Sequence, residues 1–399
     1  MKKVISILLT LGVLIACVAC TNSESIAENN TRELTEVFDY VFDAGLYTEL
    51  DYDFAEEYFL KENYNWGGGG CSAIVKTLDN GQTIVGRNMD LNISNNAAYI
   101  FRTKVEGCYE TVNLQYTFRD ISPKYEEVKQ SGLTGTFEKI MPFMADDVLN
   151  EKGLYVEVNM RNGEYWPTGE AKFCCQGTNP DAEKSVYMFT LARYIGEHCA
   201  TVDEAIEYVK TLNIYSQNGY WNYCFIIADA TGHYGLLEFA MDEVIWNDYQ
   251  PAQTNFYISE LMNLVEELKC GQGRYDRLMA NIDNVESEED MFNLMDSVSY
   301  FQVYDPYNCQ FDPRTENVGV YPFATSDLLL NDDYKEFILS SIDEVGQGVR
   351  AMSRQELRDA NEYWESSFTE VINCNEKTIF VRFFEDDSKT IKLSCGRDN

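Results

Sequence analysis

Residues 70–90, GCSAIVKTLDNGQTIVGRNMD, decide how this chain is read. Two strand-like runs, CSAIVKTL (71–78) and QTIVGRNMD (82–90), flank Asp79-Asn80-Gly81, and Asn-Gly between such runs signals a β-hairpin. A two-residue turn at Asn80-Gly81 sets Cys71 directly opposite Asp90, so the two side chains can meet. The same register puts Arg87 on the other face, and a β-bulge is then needed to bring it to the cysteine. Gly67, Gly68 and Gly69 precede Gly70. Two uses fit this glycine run: a linker between structured parts, or backbone able to bend while the Gly70–Cys71 peptide bond is attacked.

Working outward, 399 residues suffice for two average domains or one large domain with a sizeable core. A hydrophobic content of 45% and an aromatic content of 14% are those of a globular protein. The formal net charge of −35 argues against nucleic-acid binding, which needs a basic footprint, and reads first as a solvated surface. It gives no general steering toward anionic ligands, although a local basic pocket could still bind one.

The first twenty residues, MKKVISILLTLGVLIACVAC, read as an export signal: Lys2 and Lys3 precede an apolar stretch too short to span a bilayer comfortably. Leu14-Ile15-Ala16-Cys17 resembles a bacterial lipobox, with Cys20 as the alternative lipidation site and a plain secretory signal as the alternative reading. The expectation is a chain exported from a bacterial cell, either secreted or held at the membrane through a lipid anchor alone. Of twelve cysteines, setting aside Cys17, Cys20 and Cys71 leaves nine, an odd number that cannot form one closed disulfide framework. Most are read as buried thiols. With His198 and His233 the sole histidines, zinc-site spacing is absent, and no metal or cofactor is called for. His198 reads as structural, and His233, in a turn, as exposed.

Residues 21–70 divide into a polar tether and an apolar-striped segment. Leu34, Val37, Phe38, Val41 and Phe42 recur at helical spacing behind a capping-box-like Asn30 and Glu33, so 31–62 are expected to be helices. Beyond Cys71, 150–160 read as a turn and a strand, 185–212 as two helices, and 223–239 as strand, turn and strand. Further helices are expected over 257–269, 275–283 and 332–343, with a closing hairpin over 367–386. Strands separated by groups of helices predict two sheets covered by helices.

The 70–90 stretch closely resembles the N-terminal motif of the choloylglycine hydrolase family, which includes bile salt hydrolases and penicillin V acylases. These are N-terminal nucleophile hydrolases with an α+β, four-layer αββα sandwich. The family's cysteine, the arginine sixteen residues later and the aspartate nineteen residues later fall on Cys71, Arg87 and Asp90. The resemblance continues through NEKGL (150–154), ADATG (228–232), QTNFYIS with Asn255, and GQGRYDRL with Arg274, where Arg277 is a nearby competitor. It covers most of 71–386.

The resemblance implies a division into signal (1–20), tether and propeptide (21–70) and catalytic domain (71–399). It further implies self-cleavage between Gly70 and Cys71, which frees an α-amino group able to serve as base near neutral pH. Cys71 would then carry the acyl group of a small N-acyl amide, with Asp90 orienting the amine and Arg87 lowering the thiol pKa. Asn255 and a second amide would hold the oxyanion, and Arg274 would support the charge network. For the second amide the family's asparagine aligns with Met160, whereas this chain has Asn159, one residue off and so on the other face of a strand. Retention of the propeptide by its apolar stripe is a further expectation, and relatives suggest homo-oligomers. Acyl transfer to an amine, or a non-catalytic ligand-binding lipoprotein on the same scaffold, are the rival readings.

Overall fold

In the computed structural model, the described residues are 41–61, 70–91, 96–118, 139–160, 177–216, 223–240, 242–258, 271–299, 302–303, 311–312, 317–318, 324–325, 365–383 and 386–396. Cys17 and Cys20, the tether, Asn30 and Glu33, Gly67–Gly69, most of the 257–269 segment and all of 332–343 lie outside them.

Two sheets carry the molecule. The larger has eight strands: β1 (Val41–Tyr47), β4 (Asn96–Thr103), β5 (Thr111–Phe118), β6 (Asp147–Asn150), β7 (Tyr155–Met160), β10 (Tyr223–Ala228), β11 (Tyr234–Ala240) and β12 (Glu243–Asp248), in that spatial order. The smaller has six: β13 (Ala252–Gln253), β2 (Gly70–Thr77), β3 (Thr83–Leu91), β14 (Glu365–Asn373), β15 (Thr378–Phe383) and β16 (Asp386–Ser394). A short parallel pair, β8 (Ser185–Tyr187) and β9 (Asn213–Tyr215), stands apart. Among the described residues, the α-helices are α1 (Tyr52–Lys61), α2 (Leu191–His198), α3 (Val202–Lys210), α4 (Gln272–Asn281) and α5 (Glu288–Asp296).

Strand alternation sorts the apolar residues into layers. Val156, Val158, Phe225 and Ile227 face Leu191, Ile195, Val202 and Val209 of α2 and α3. The alternate residues Tyr155, Cys224, Ile226 and Ala228 meet Ala73, Val75, Val85 and Phe368 of the smaller sheet. That sheet's other face, Ile74, Ile84 and Val371, packs on Leu278, Met291 and Met295 of α4 and α5. The order is helices, sheet, sheet, helices: the expected αββα sandwich. Gly86 lets α5 approach closely, because a Cβ there would meet Met291 Sδ at 2.6 Å.

Several local expectations hold. The 150–160 turn and strand and the 223–239 strand pair are in place, and the two helices expected over 185–212 are Leu191–His198 and Val202–Lys210, with Ser185–Tyr187 a strand instead. Thr201 caps α3 by accepting from the Glu204 backbone N–H. Others need correction. Residues 41–47 are a strand, not helix: β1 is the edge strand and pairs in parallel with β4, with an irregularity between Asp43 and Leu46 where Gly45 takes φ 90°. Pairing with β4 outweighs a local periodicity that Gly45 already interrupts. The closing hairpin extends into a third strand, β16, and helix α5 was not anticipated. Residues 257–258 are irregular rather than helical.

The hairpin itself is one residue off. Leu78 N–H bonds Gln82 O and Gly81 N–H bonds Leu78 O, closing a three-residue loop with Gly81 in the left-handed region at φ 84°. Gly70 therefore pairs with Asp90, and Cys71 with Met89.

Candidate active site

The corrected register rearranges the site. Cys71 and Met89 are cross-strand partners, and Ala73 pairs with Arg87, so Cys71 and Arg87 project from the same face without a bulge. Cys71 is nearly buried at 5% exposure, with Sγ 3.8 Å from Met89 Sδ. Met89 Sδ is in turn 3.9 Å from Arg87 Nη2, so its thioether stands between thiol and guanidinium. Asp90 is opposite Gly70, the residue before the nucleophile candidate, rather than opposite Cys71 itself.

Arg274, from the first turn of α4, gathers three of the expected residues. Its Nη1 donates to Cys71 O at 3.1 Å and to Asp90 Oδ2 at 3.0 Å, and its Nη2 donates to Asn255 Oδ1 at 2.7 Å. Arg277, the competitor, faces solvent and reaches Ser297 O at 3.5 Å. The other Asp90 oxygen accepts from Ser366 Oγ at 2.6 Å. Ser366 was missed because nothing in its local sequence marks it; only pairing of β14 with β3 brings it to Asp90. Asn255 follows β13, which pairs with β2 through Ala252–Ile74 and Gln253–Ala73. Continuing that register brings Asn255 level with Cys71.

Asn159 occupies β7 opposite Cys224, in the alternate row with Tyr155 and Glu157 that faces the smaller sheet. It is wholly buried, and neither its Oδ1 nor its Nδ2 has a hydrogen-bond partner. A buried amide with both ends unmatched is costly unless something else fills them.

Arg87 is surrounded by acids: Glu157 Oε1 at 3.2 Å, Glu370 Oε2 at 3.2 Å and Asp147 Oδ2 at 3.5 Å, all fully buried. Burial opposes the charge of Arg87, but Glu370, Asp147 and Glu157 hold it firmly protonated. One guanidinium cannot neutralise three carboxylates. Burial pushes Glu157 up to about 7 despite Arg87, and drives Glu370 well above the carboxylate range. Burial also pushes the Cys71 thiol up to about 12; Arg87 pulls it down, but Asp90 and Glu157 add to the rise. With the Gly70–Cys71 bond intact, the expected downward pull of Arg87 on the thiol is present but outweighed by burial.

The other cysteines and histidines fall as follows. Among the described residues, Cys71, Cys108, Cys199, Cys224, Cys374 and Cys395 are free thiols, and all but Cys108 are buried. His233 is less open than expected, held between Asp203 and Asp248 at 3.2 and 2.7 Å.

Residues 71–247 match the sequence model of the linear amide C–N hydrolases, choloylglycine hydrolase family. No curated protein matches the chain. Among solved structures, it is similar to a mutant conjugated bile acid hydrolase from Clostridium perfringens, at 14% identity over 82% of this chain and 93% of that one, with a TM-score of 0.42. It is also similar to penicillin V acylase from Agrobacterium tumefaciens, at 14% identity over 79% of this chain and 83% of that one, with a TM-score of 0.35.

Proposed function

Since residues 71–247 belong to the choloylglycine hydrolase family of linear amide C–N hydrolases, we propose that this enzyme cuts its own Gly70–Cys71 bond and then hydrolyses a small N-acyl amide through a thioester on Cys71. The observation that carries the reading is the fan of Arg274 hydrogen bonds to the Cys71 carbonyl, Asp90 and Asn255. It fixes the backbone of the nucleophile, a carboxylate and an amide around one buried point. The family match also begins at Cys71 itself.

In the first step the Cys71 thiol adds to the Gly70 carbonyl, the C–N bond breaks, and the acyl group moves to sulfur. Water hydrolyses that thioester, leaving a carboxylate on Gly70 and a free thiol and α-amine on Cys71. Asp90 is positioned for the new amine, because its strand position pairs with Gly70. The new amine then takes the thiol proton as the base for attack.

The thiolate attacks the substrate carbonyl, the amine leaves with the proton, and water releases the acid. Asn255, its Oδ1 turned to Arg274, directs Nδ2 elsewhere, and the unmatched Asn159 amide supplies the second donor for the oxyanion. Bile salts, penicillin V, N-acyl amino acids, acyl-homoserine lactones and fatty acyl amides share the required bond. A lipid anchor on Cys17 or Cys20 would be severed from the catalytic domain by the cut, so membrane attachment would then depend on the leader staying bound.

The test is the intact mass and N-terminal sequence of the purified chain beside Cys71→Ala. A new N-terminus at Cys71, absent from the variant, is expected. An uncut wild-type chain would leave the enzyme without its base and would turn the glycine run back into a linker. Product analysis with added amines then separates hydrolysis from acyl transfer.

A further inference from the structure

On the far side of the larger sheet, the turn joining β4 to β5 meets the C-terminal end of α2. Cys108 in that turn and the last two helix residues, Glu197 and His198, bring a thiol, a carboxylate and an imidazole together. Their ligand atoms all lie within 4.8 Å of one another. We propose that Cys108, Glu197 and His198 form a binding site for a zinc-class divalent cation, with a fourth coordination position open to water.

His198 is presented in the form a metal ligand needs. His198 Nδ1 lies 2.9 Å from Tyr194 O, which places its proton on Nδ1 and leaves the Nε2 lone pair toward Cys108 Sγ, 4.0 Å away. The ring is also fixed by Tyr208, stacked on it at 5.3 Å and 11°. Glu197 is fully buried. Its Oε1 accepts from Thr103 Oγ1 at 3.1 Å and faces Arg193 at 3.8 Å, whereas Oε2 has no hydrogen-bond partner. That unmatched oxygen is the second observation pointing to a ligand. Tyr109 N–H bonds Glu197 O at 2.9 Å, so turn and helix are already joined at this point.

The approach suits an ion arriving from solvent. Cys108 is partly exposed and His198 exposed, while Glu197 forms the floor. Zinc bonds of about 2.3 Å to sulfur and about 2.0–2.1 Å to nitrogen put the two tetrahedral ligands roughly 3.5 Å apart, a small rotation from the 4.0 Å observed. A thiolate with an imidazole selects zinc-like ions over calcium or magnesium, and three protein ligands leave one position open. Partial burial raises the Cys108 thiol and lowers His198, while the nearby Lys184 ammonium pulls the thiol back down and adds to the fall at His198. Sequence spacing could not show this site, because Cys108 and His198 are ninety residues apart.

The experiment uses the full chain, stripped with a chelator and titrated with Zn²⁺ against a chromophoric chelator, then with Co²⁺ followed optically. One equivalent of metal and a near-ultraviolet thiolate-to-Co²⁺ band are expected. Cys108→Ser should abolish the band, and His198→Ala should weaken Zn²⁺ binding by more than the roughly 10–100-fold typical of losing an outer-shell partner. Cys71→Ala should retain both, which keeps this test independent of the amidase reading. Absence of a stoichiometric equivalent, or a band that survives Cys108→Ser, overturns the assignment.

Discussion

Arg274 joins three groups that are far apart in sequence, and its replacement should be felt twice. Arg274→Ala leaves Asp90 buried with its Arg274 ion pair gone, a change that costs about 3–5 kcal/mol when a buried ion pair loses one partner. Urea unfolding should show that loss, and amide hydrolysis should fall with it, whereas Arg277→Ala, at the surface, should shift stability by less than about 0.5 kcal/mol. Equal effects at the two positions would mean that the fan of bonds from Arg274 carries no weight. Glu157 provides a second residue-level test. Its carboxyl is raised to about 7 in the fold from an ordinary 4.5, chiefly by burial. The folded state therefore prefers the protonated form: the stabilisation is complete below the unfolded pKa and is lost as pH rises through the folded one. Between about pH 5 and 8 the wild type should lose stability that Glu157→Gln keeps, as read by urea midpoints across that range. Parallel profiles would refute the raised pKa. Cys71, Arg87, Asp90 and Asn255 were legible because each lies within a short recognisable stretch, and their grouping around one point rests on the fold. Met89, Ser366, Glu157 and Glu370 were not, since strand pairing and sheet packing alone give them their roles.

The described elements before Gly70, β1 and α1, pack into the sandwich. β1 extends the larger sheet beside β4, and α1 lays Ala55 into the core beneath α2. Glu56 of α1 accepts from Tyr187 N–H at 3.0 Å, Thr190 Oγ1 at 3.0 Å and Tyr215 hydroxyl at 2.8 Å. After a cut at Gly70, the leader should therefore co-elute with the catalytic domain in native gel filtration and separate in denaturant. Glu56→Ala strands those donors at about 1–3 kcal/mol, which converts to roughly a 5–150-fold loss of leader affinity. A leader that leaves the wild-type domain without denaturant would contradict this account. After residue 150, sequence patterns identified β7, α2, α3, β10, β11, α4 and the β14–β15 hairpin, and missed β8, β9, β12, β13, β16 and α5. They failed at β1 because a strand completed by a distant edge leaves little local trace, and a near-helical run of apolar residues overlapped it. The hairpin loop failed differently: Asn80-Gly81 suits a two-residue turn, yet Gly81 alone takes the left-handed conformation and one added residue exchanges the faces. That single step decides whether Arg87 or Asp90 shares the thiol's face.

At the scale of the whole molecule, the charge imbalance becomes a statement about substrates. Sixty-six acidic residues against thirty-one basic ones give a net charge of −35. Among the described residues, the arginines grouped around Cys71, Arg87 and Arg274, are both buried and already paired with carboxylates. An anionic acyl amide therefore approaches through a repulsive field that nothing among these paired arginines reverses, while a neutral one feels little of it. Salt shortens the reach of that field from about 10 Å at 0.1 M to about 3 Å at 1 M. For an anionic substrate, kcat/KM should consequently rise several-fold, up to about tenfold, between low salt and 1 M salt, whereas a neutral acyl amide should change by less than about twofold. The comparison should be made on the purified enzyme, with the two substrates sharing one acyl group and differing only in the charge of the leaving amine. Kinetics that instead weaken with salt for the anion would reveal a local basic pocket strong enough to reverse the global field. The substrate class would then have to be sought among acids held by that pocket.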